Sequence, residues 1–197
     1  MLGWVIFLAI IMAVLGYGIS LFNGLVAKRN AARNCFSQID VQLQRRHELI
    51  PNLVEAARAY MLHEKDTLER VIAARDAAVQ AQRNLAGGGA QSAELMQKLS
   101  MAEQRLSQSL AQFSAVVEQY PELKADAVIK DLMEELATTE NRVGFARQAY
   151  NDQVMFYNNA CEMFPSNFMA GAFNFKPMTL LQVEDLKMLR SALNIRL

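Results

Sequence analysis

The sequence predicts an all-α protein, in which an N-terminal transmembrane helix precedes an antiparallel bundle of long helices and a short C-terminal helix. Two observations carry this prediction: residues 1–27 carry no charge, and apolar residues then recur at intervals of mostly three, four and seven. No stretch alternates with the period of two that is typical of strands. We therefore expect an anchor over 1–27, a helical bundle over 28–173 and a tail over 174–197.

The apolar N-terminus is long enough to cross a bilayer. Residues 2–22 read LGWVIFLAIIMAVLGYGISLF, and these 21 residues span roughly 30 Å as a helix. A cleaved signal peptide would start with basic residues and have a shorter apolar run. A buried core helix rarely stays uncharged over this length. The segment is therefore interpreted as a single-pass transmembrane anchor.

Basic residues follow directly after the anchor and predict its orientation. Lys28, Arg29 and Arg33 flank the membrane, and residues 28–46 hold five basic side chains and one acidic one. By the positive-inside rule this flank is cytoplasmic and the N-terminus lies outside. Cys35 and Cys161 form no CxxC motif, so we expect both to be unbridged, as in a reducing compartment.

Pro51 interrupts an amphipathic pattern that runs from Asn30 to Ala86 without a glycine. Proline has no backbone N–H, so a helix passing through it leaves the carbonyl of His47 without its usual partner. A new helix starting at Pro51 would favour an N-cap, yet residues 48–50 include no Ser, Thr, Asp or Asn. We therefore expect one long helix that is bent near Pro51 and continuous with the anchor.

Two further helical segments and a distinct tail complete the chain. Gly87-Gly88-Gly89 breaks the first segment, and apolar residues from Leu95 to Val117 define the second. Pro121 suits the first turn of the third segment, which ends near Pro165. Residues 167–177 are rich in Phe, Asn and Gly, and residues 182–193 predict a short amphipathic helix. That helix is open to docking on the bundle, on a membrane or on another subunit.

Residues suited to catalysis or metal binding are scarce. His47 and His63 occur in neither a Glu-x-x-His pair nor an HExxH motif, and we expect both at the surface or its boundary. The sequence contains no P-loop, dinucleotide fingerprint or nucleophile elbow. The basic cluster lacks interleaved aromatic residues and suits anionic lipid headgroups better than nucleic acid. We therefore predict no enzymatic activity, no cofactor, no metal and no nucleic-acid partner.

A metalloenzyme is the alternative of a different class. Its ligands would be carboxylates, although an acidic run on a helix is usually a solvated face. The candidate ligands are Glu64, Glu69, Glu134, Glu135 and Glu140.

An ordered series of motifs resembles the LemA family of bacterial membrane proteins. The series begins with RN at 29–30, SQIDVQL at 37–43, RR at 45–46, LIPNLVE at 49–55, HE at 63–64 and AR at 74–75. It continues with YPELKA at 120–125, TENR at 139–142, YND at 150–152, YN at 157–158 and FPS at 164–166. The resemblance covers residues 25–175, and the tail from Lys176 onward matches no motif of the family.

The resemblance implies a protein of the bacterial inner membrane, with its N-terminus outside and its bundle in the cytoplasm. It implies no established activity, cofactor or substrate. The polar motif residues suit pairing between helices, which would fix the register of the bundle or of packed subunits. Local capping and surface pairing are the alternative. The motif residues given a structural role are Arg29, Asn30, Gln38, Asp40, Arg45, Arg46, Pro51, Asn52, Glu55, His63, Glu64, Pro121, Glu140, Asn141, Arg142, Tyr150, Asn151, Asp152 and Pro165.

Two functions are consistent with these predictions. The first is a non-enzymatic membrane-anchored scaffold that forms homo-oligomers in the membrane, helped by 11 methionines that adapt at contacts. The second is a tethered adaptor or sensor that binds an unidentified protein through its C-terminal tail. The expected partners are thus the lipid bilayer, further copies of the chain and a protein. Deleting residues 176–197 is expected to leave the bundle intact and to abolish only the adaptor function.

Overall fold

The computed structural model describes residues 2–61, 64–88 and 92–181, and all regular structure in these ranges is helical. The predicted all-α class is confirmed. The elements are α1 (Leu2–Arg58), α2 (Lys65–Gly88), α3 (Ala93–Val117), α4 (Pro121–Ala125), α5 (Ala127–Glu162) and α6 (Ser166–Ala172). His63 and the short helix predicted over 182–193 lie outside the described residues.

Helix α1 joins the apolar N-terminus to the bundle without interruption. It is 57 residues long and passes through Pro51. The apolar N-terminal part of α1, residues 2–19, is not covered by the rest of the described chain, so this part of the helix lies outside the bundle core. From Leu25 onward one face of α1 becomes buried. By length and composition α1 can therefore cross a membrane and still form part of the bundle core.

The first amphipathic segment is two helices, and the expectation of one long helix as far as Ala86 is wrong. Helix α1 ends at Arg58, where the amide of Met61 donates to the Ala57 carbonyl at 3.0 Å. Helix α2 begins at Lys65 and carries the buried residues Leu68 and Val71 back along α1. Both helices bury one apolar face in the same core, so apolar residues recur at the same intervals in each. The spacing therefore does not reveal the break between them.

The bundle core consists of two apolar clusters. The membrane-proximal cluster includes Leu25, Leu43, Leu99 and Tyr157. The membrane-distal cluster includes Ile50, Val71, Leu106, Phe113 and Leu136. Helix α1 packs against α5 and α2, and α2 packs against α3. Along α1, the two clusters are separated by buried Arg46 and His47.

Helix α5 begins with a side-chain cap that also ties it to the end of α1. The Asp126 carboxylate accepts hydrogen bonds from the amides of Val128 at 2.9 Å and Ile129 at 3.1 Å. The Tyr60 hydroxyl donates to the same carboxylate at 3.0 Å. The Ile129 amide and Tyr60 lower the pKa of Asp126, because both stabilise its charged form. Pro121 is the first residue of α4, as its motif predicts.

Candidate functional site

A layer of polar side chains crosses the bundle between the two apolar clusters. We call it the polar layer; it consists of Arg46 and His47 of α1, Glu103 and Ser107 of α3, and Glu140 of α5. The Arg46 guanidinium donates to Glu103 at 3.1 Å and to the Ser107 hydroxyl at 2.9 Å. It also forms an ion pair with Glu140 at 2.6 Å. Arg46 therefore connects three helices at one level.

His47 is part of the polar layer, and the expectation of a surface position is wrong for this residue. Arg46 and His47 are each only 2% exposed. The His47 Nε2 lies 2.8 Å from Glu103, so one carboxylate contacts both side chains of α1. The sequence did hold a signal, because His47 follows Leu43 by four residues and precedes Ile50 by three. It therefore lies on the buried stripe.

The geometry of the polar layer suits a role in helix register better than a role in net stability. Buried charges lose hydration, and their attraction repays this only when every group is well paired. Among the described residues, Arg46 Nε and His47 Nδ1 have no hydrogen-bond partner. A shift of α1 by one turn would separate Arg46 from both Glu103 and Glu140. Such a layer tolerates few alternative packings.

Arg75 of α2 supplies the hydrogen bond that Pro51 cannot supply within α1. Because Pro51 lacks an N–H, it cannot bond the carbonyl of His47. The Arg75 Nε donates to that carbonyl at 3.1 Å. The His47 carbonyl, which has no partner within α1, therefore connects α1 to α2. Arg75 belongs to the AR motif at 74–75 but was not among the residues given a role.

Two asparagines of α5 bind the backbone of an irregular tail segment, residues 175–181. The Asn158 amide donates to the Met178 carbonyl and accepts from the Met178 amide, both at 2.9 Å. The Asn151 amide does the same for Leu181, at 3.1 and 2.9 Å. The two asparagines are seven residues apart, close to two helical turns, so they lie on one face of α5. Both asparagine side chains bind backbone N–H and C=O groups of the tail and not its side chains.

Each asparagine follows a tyrosine that binds the same tail segment. Tyr150 donates its hydroxyl to the Thr179 carbonyl at 2.8 Å, and Tyr157 donates to the Lys176 carbonyl at 2.9 Å. Burial raises the pKa of both phenols to about 12. Both hydroxyls therefore remain protonated donors at neutral pH. We call Tyr150, Asn151, Tyr157 and Asn158 the tail clamp.

The clamped segment contributes to the core of the bundle. Phe175, Met178 and Leu181 are buried in the membrane-proximal cluster. This packing argues against the expectation that residues 176–197 can be removed without harm to the bundle. That expectation rested on the absence of a recognised motif beyond Lys176, whereas packing requires only apolar side chains at suitable positions.

Other motif residues make single contacts between elements or lie at the surface. Asp40 accepts from Gln82 of α2 at 2.6 Å, and Arg45 pairs with Glu135 of α5. The Arg29 guanidinium lies 4.9 Å from the ring centre of Phe175. The exposed residues are Lys28, Asn30, Arg33, Gln38, Pro51, Asn52, Glu55, Asn141, Arg142 and Asp152.

Two motif residues lie next to helix starts. Glu64 directly precedes α2, and its carboxylate accepts a hydrogen bond at 3.4 Å from Thr67 in the first turn of that helix. Pro165 directly precedes α6.

The acidic residues considered as metal ligands are not brought together. Glu135 pairs with Arg45 and Glu140 with Arg46, so α1 supplies their counter-charges. Within 2–61, 64–88 and 92–181, no group of three or more His, Cys, Asp or Glu side chains is placed to hold a metal ion. Cys35 and Cys161 are free thiols.

Helix α1 has an apolar, uncovered N-terminal part and continues into the bundle. This arrangement is that of a membrane-associated helical protein. The chain belongs to the LemA family, whose model matches residues 35–196. That match includes the clamped segment and extends past Lys176, so the expected end of the resemblance at residue 175 is wrong.

Curated relatives show the same kinship at low identity. The chain is 25% identical to the magnetosome protein MamQ of Magnetospirillum gryphiswaldense over 79% of its length. It is 28% identical over 71% of its length to the proteins MamQ 1 and MamQ 2 of Paramagnetospirillum magneticum. The match covers 62% and 57% of those proteins, so the chain spans about three fifths of the relatives it matches.

Proposed function

We propose that this chain is a non-enzymatic, membrane-anchored scaffold that self-associates through the outer face of α5. The supporting observation is a stripe of exposed residues on that face, which we call the outer stripe: Phe145, Ala149, Asp152 and Phe156. Phe145 is 73% exposed and Phe156 is 52% exposed. Eleven residues separate the two rings, which places them within about 20° of each other around the helix.

The outer stripe lies on the side of α5 that faces away from the bundle. Tyr150 and Val154 are fully buried on the opposite side, against the membrane-proximal cluster. Scattered apolar surface residues are normal, whereas two aromatic rings aligned on one rigid helix suit helix–helix contact. Asp152 lies between the rings, and a polar residue within such a seam selects one register.

Membrane anchoring favours contact between outer stripes. Copies anchored by α1 share one orientation, so their α5 helices run in the same direction relative to the bilayer. Confinement to a plane also raises their effective concentration. Lys28, Arg29 and Arg33 after the apolar segment support a cytoplasmic bundle and an external N-terminus in the inner membrane.

Native mass spectrometry of the full-length chain, released from lipid nanodiscs, tests the proposal. The wild-type chain is expected to give one discrete oligomer, and the double variant Phe145→Glu/Phe156→Glu is expected to be monomeric. Val128→Glu is the matched control, because Val128 is an exposed apolar residue of α5 about 100° away from the stripe. Its oligomer is expected to persist.

Two results would overturn self-association through the outer stripe. One is a wild-type chain that is monomeric in nanodiscs and does not cross-link in membranes. The other is an oligomer that survives both glutamates, which would place the contact on another face. Circular dichroism of each variant checks that the helices remain folded.

A further inference from the structure

We propose that the α5–α6 corner inserts into the bilayer beside α1, as a second membrane contact. The inserting residues, called the aromatic collar, are Met163, Phe164, Phe168 and Phe173, with exposures between 57% and 78%. The proposal rests on the membrane-spanning role of α1 that forms part of the proposed function. It makes the Phe-rich stretch a lipid-binding surface.

Contacts with α1 set the depth of the aromatic collar. The Phe173 ring centre lies 4.9 Å from that of Phe22, and the Phe175 ring centre lies 5.6 Å from it. Phe22 precedes Lys28, the first charged residue of α1, by six residues, or about 9 Å along the helix. The headgroup layer of one leaflet is only about 5–7 Å thick. With Lys28 among the headgroups, Phe173 therefore lies at the acyl boundary.

The charge pattern of the corner matches this depth. Residues 163–175 contain no Asp, Glu, Lys or Arg, whereas Glu162 precedes them and Lys176 follows. The one serine in this stretch is internally satisfied, because the Ser166 hydroxyl donates to the carbonyls of Ala160 and Met163 at 2.6 and 2.9 Å. The first charged residues on either side of the corner therefore lie where the lipid headgroups would begin.

The corner is held rigidly at this level. Ala170 of α6 is buried in the membrane-proximal cluster with Leu25 of α1. The Arg29 guanidinium lies over the Phe175 ring. The collar rings therefore project from a fixed base that is packed on α1. Phe164 and Phe168 also contact each other edge to face, with ring centres 5.9 Å apart.

A lipid surface fits the collar better than a protein because the collar continues the uncovered surface of α1. The side chains of α1 are exposed and apolar up to Ile19, and Phe22 is the position where the corner begins to cover them. A bilayer that surrounds the first five turns of α1 must therefore reach the collar. Phe is one of the side chains that interfacial segments bury at the boundary between headgroups and acyl chains.

Fluorescence quenching by brominated lipids tests the insertion in the full-length chain. Trp4 is the only tryptophan, so Trp4→Phe provides a silent background for Phe164→Trp or Phe168→Trp. Reconstituted vesicles of phosphatidylcholine and phosphatidylglycerol would carry bromine near the top of the acyl chains. Insertion by about 5–10 Å is expected to remove about half of the emission of each collar reporter.

Two controls separate the collar from the anchor. Phe145→Trp places the reporter on the outer stripe of α5, about 25 Å along the helix from the corner, and no quenching is expected there. The wild-type Trp4 reports on α1 itself. Quenching of Trp4 without quenching of either collar reporter would overturn the inference and leave the anchor standing.

Three other results would also overturn the insertion. Unquenched Trp4 together with unquenched collar reporters would reject the anchor as well. A collar reporter that is unquenched and blue-shifted would indicate a protein contact instead. Equal quenching of Phe145→Trp and of the collar reporters would show that α5 contacts lipid along its length, which would overturn insertion by the corner.

Discussion

Arg75 replaces the hydrogen bond that Pro51 removes from α1. The replacement comes from a different helix, so the local defect becomes a contact between α1 and α2. Arg75 also pairs with Asp76 at 2.9 Å, but a surface pair between neighbouring residues contributes little. The bond to His47 is therefore the contact through which Arg75 acts.

The first prediction is that the effects of Arg75 and Pro51 on stability are coupled. Arg75→Met leaves a partly buried carbonyl unpaired and is expected to lower the free energy of unfolding by about 1–3 kcal/mol. Pro51→Ala restores an N–H that can donate to His47, so Arg75→Met should cost markedly less in that background. Urea unfolding of the four proteins in detergent micelles measures the coupling.

Arg70→Met is the control for the loss of a positive charge on α2, because Arg70 is exposed. We expect its cost to be small and equal in both backgrounds. Additive effects of Arg75→Met and Pro51→Ala would show that Arg75 does not act through the His47 carbonyl.

At the scale of elements, α5 has three faces with different roles. One face packs on α1, a second carries the tail clamp, and the third is the outer stripe. The clamp binds its segment much as a strand is bound in a sheet, since each asparagine pairs with both the N–H and the C=O of one residue. The backbone N–H and C=O groups of Met178 and Leu181, which belong to no helix or strand, are thereby satisfied.

The second prediction concerns the asparagines of the clamp. Asn151→Ala and Asn158→Ala each remove two hydrogen bonds, at about 0.5–1.5 kcal/mol per bond. We expect the amides of Leu181 and Met178, respectively, to exchange with deuterium about tenfold faster, with little change in the core of α5. Hydrogen–deuterium exchange of the full-length chain resolves these positions.

Asn159→Ala is the matched control, because Asn159 is exposed and adjacent to Asn158 on the same helix. Its exchange pattern is expected to equal that of the wild-type chain. Uniform acceleration across α5 in the clamp variants would mean that the asparagines stabilise the helix rather than the tail segment.

At the scale of the whole molecule, the sequence predicted the helices better than their connections. Uncharged residues 1–27 and the three-four spacing were sufficient for the class and for the continuity of α1. The end of α1 at Arg58 and the start of α2 at Lys65 were missed because two helices facing one core share the same periodicity. Arg46 and His47 lie on the predicted apolar stripe, so their burial was within reach of the sequence. Their partner Glu103 was not, because local spacing does not determine which helices become neighbours.

The last prediction concerns the tail, where motif matching and packing gave opposite answers. Deleting residues 176–197 removes the buried side chains of Met178 and Leu181 and empties the tail clamp. Deleting only residues 182–197 retains all of the described contacts. Burial of one such side chain is worth about 1.5–3 kcal/mol, so the longer deletion should cost about 3–6 kcal/mol more than the shorter one.

Urea unfolding of the two truncated chains in micelles measures this difference, and circular dichroism reports whether the helices persist. A longer deletion that matches the shorter one in stability would show that the segment 175–181 is dispensable. The clamp would then be a surface contact rather than part of the core. Because Tyr150 and Tyr157 are buried beneath this segment, its loss should also expose them, lowering both phenol pKa values toward the ordinary value of 10.0. Absorbance titration of the tyrosines therefore provides a second readout of tail docking that does not depend on overall stability.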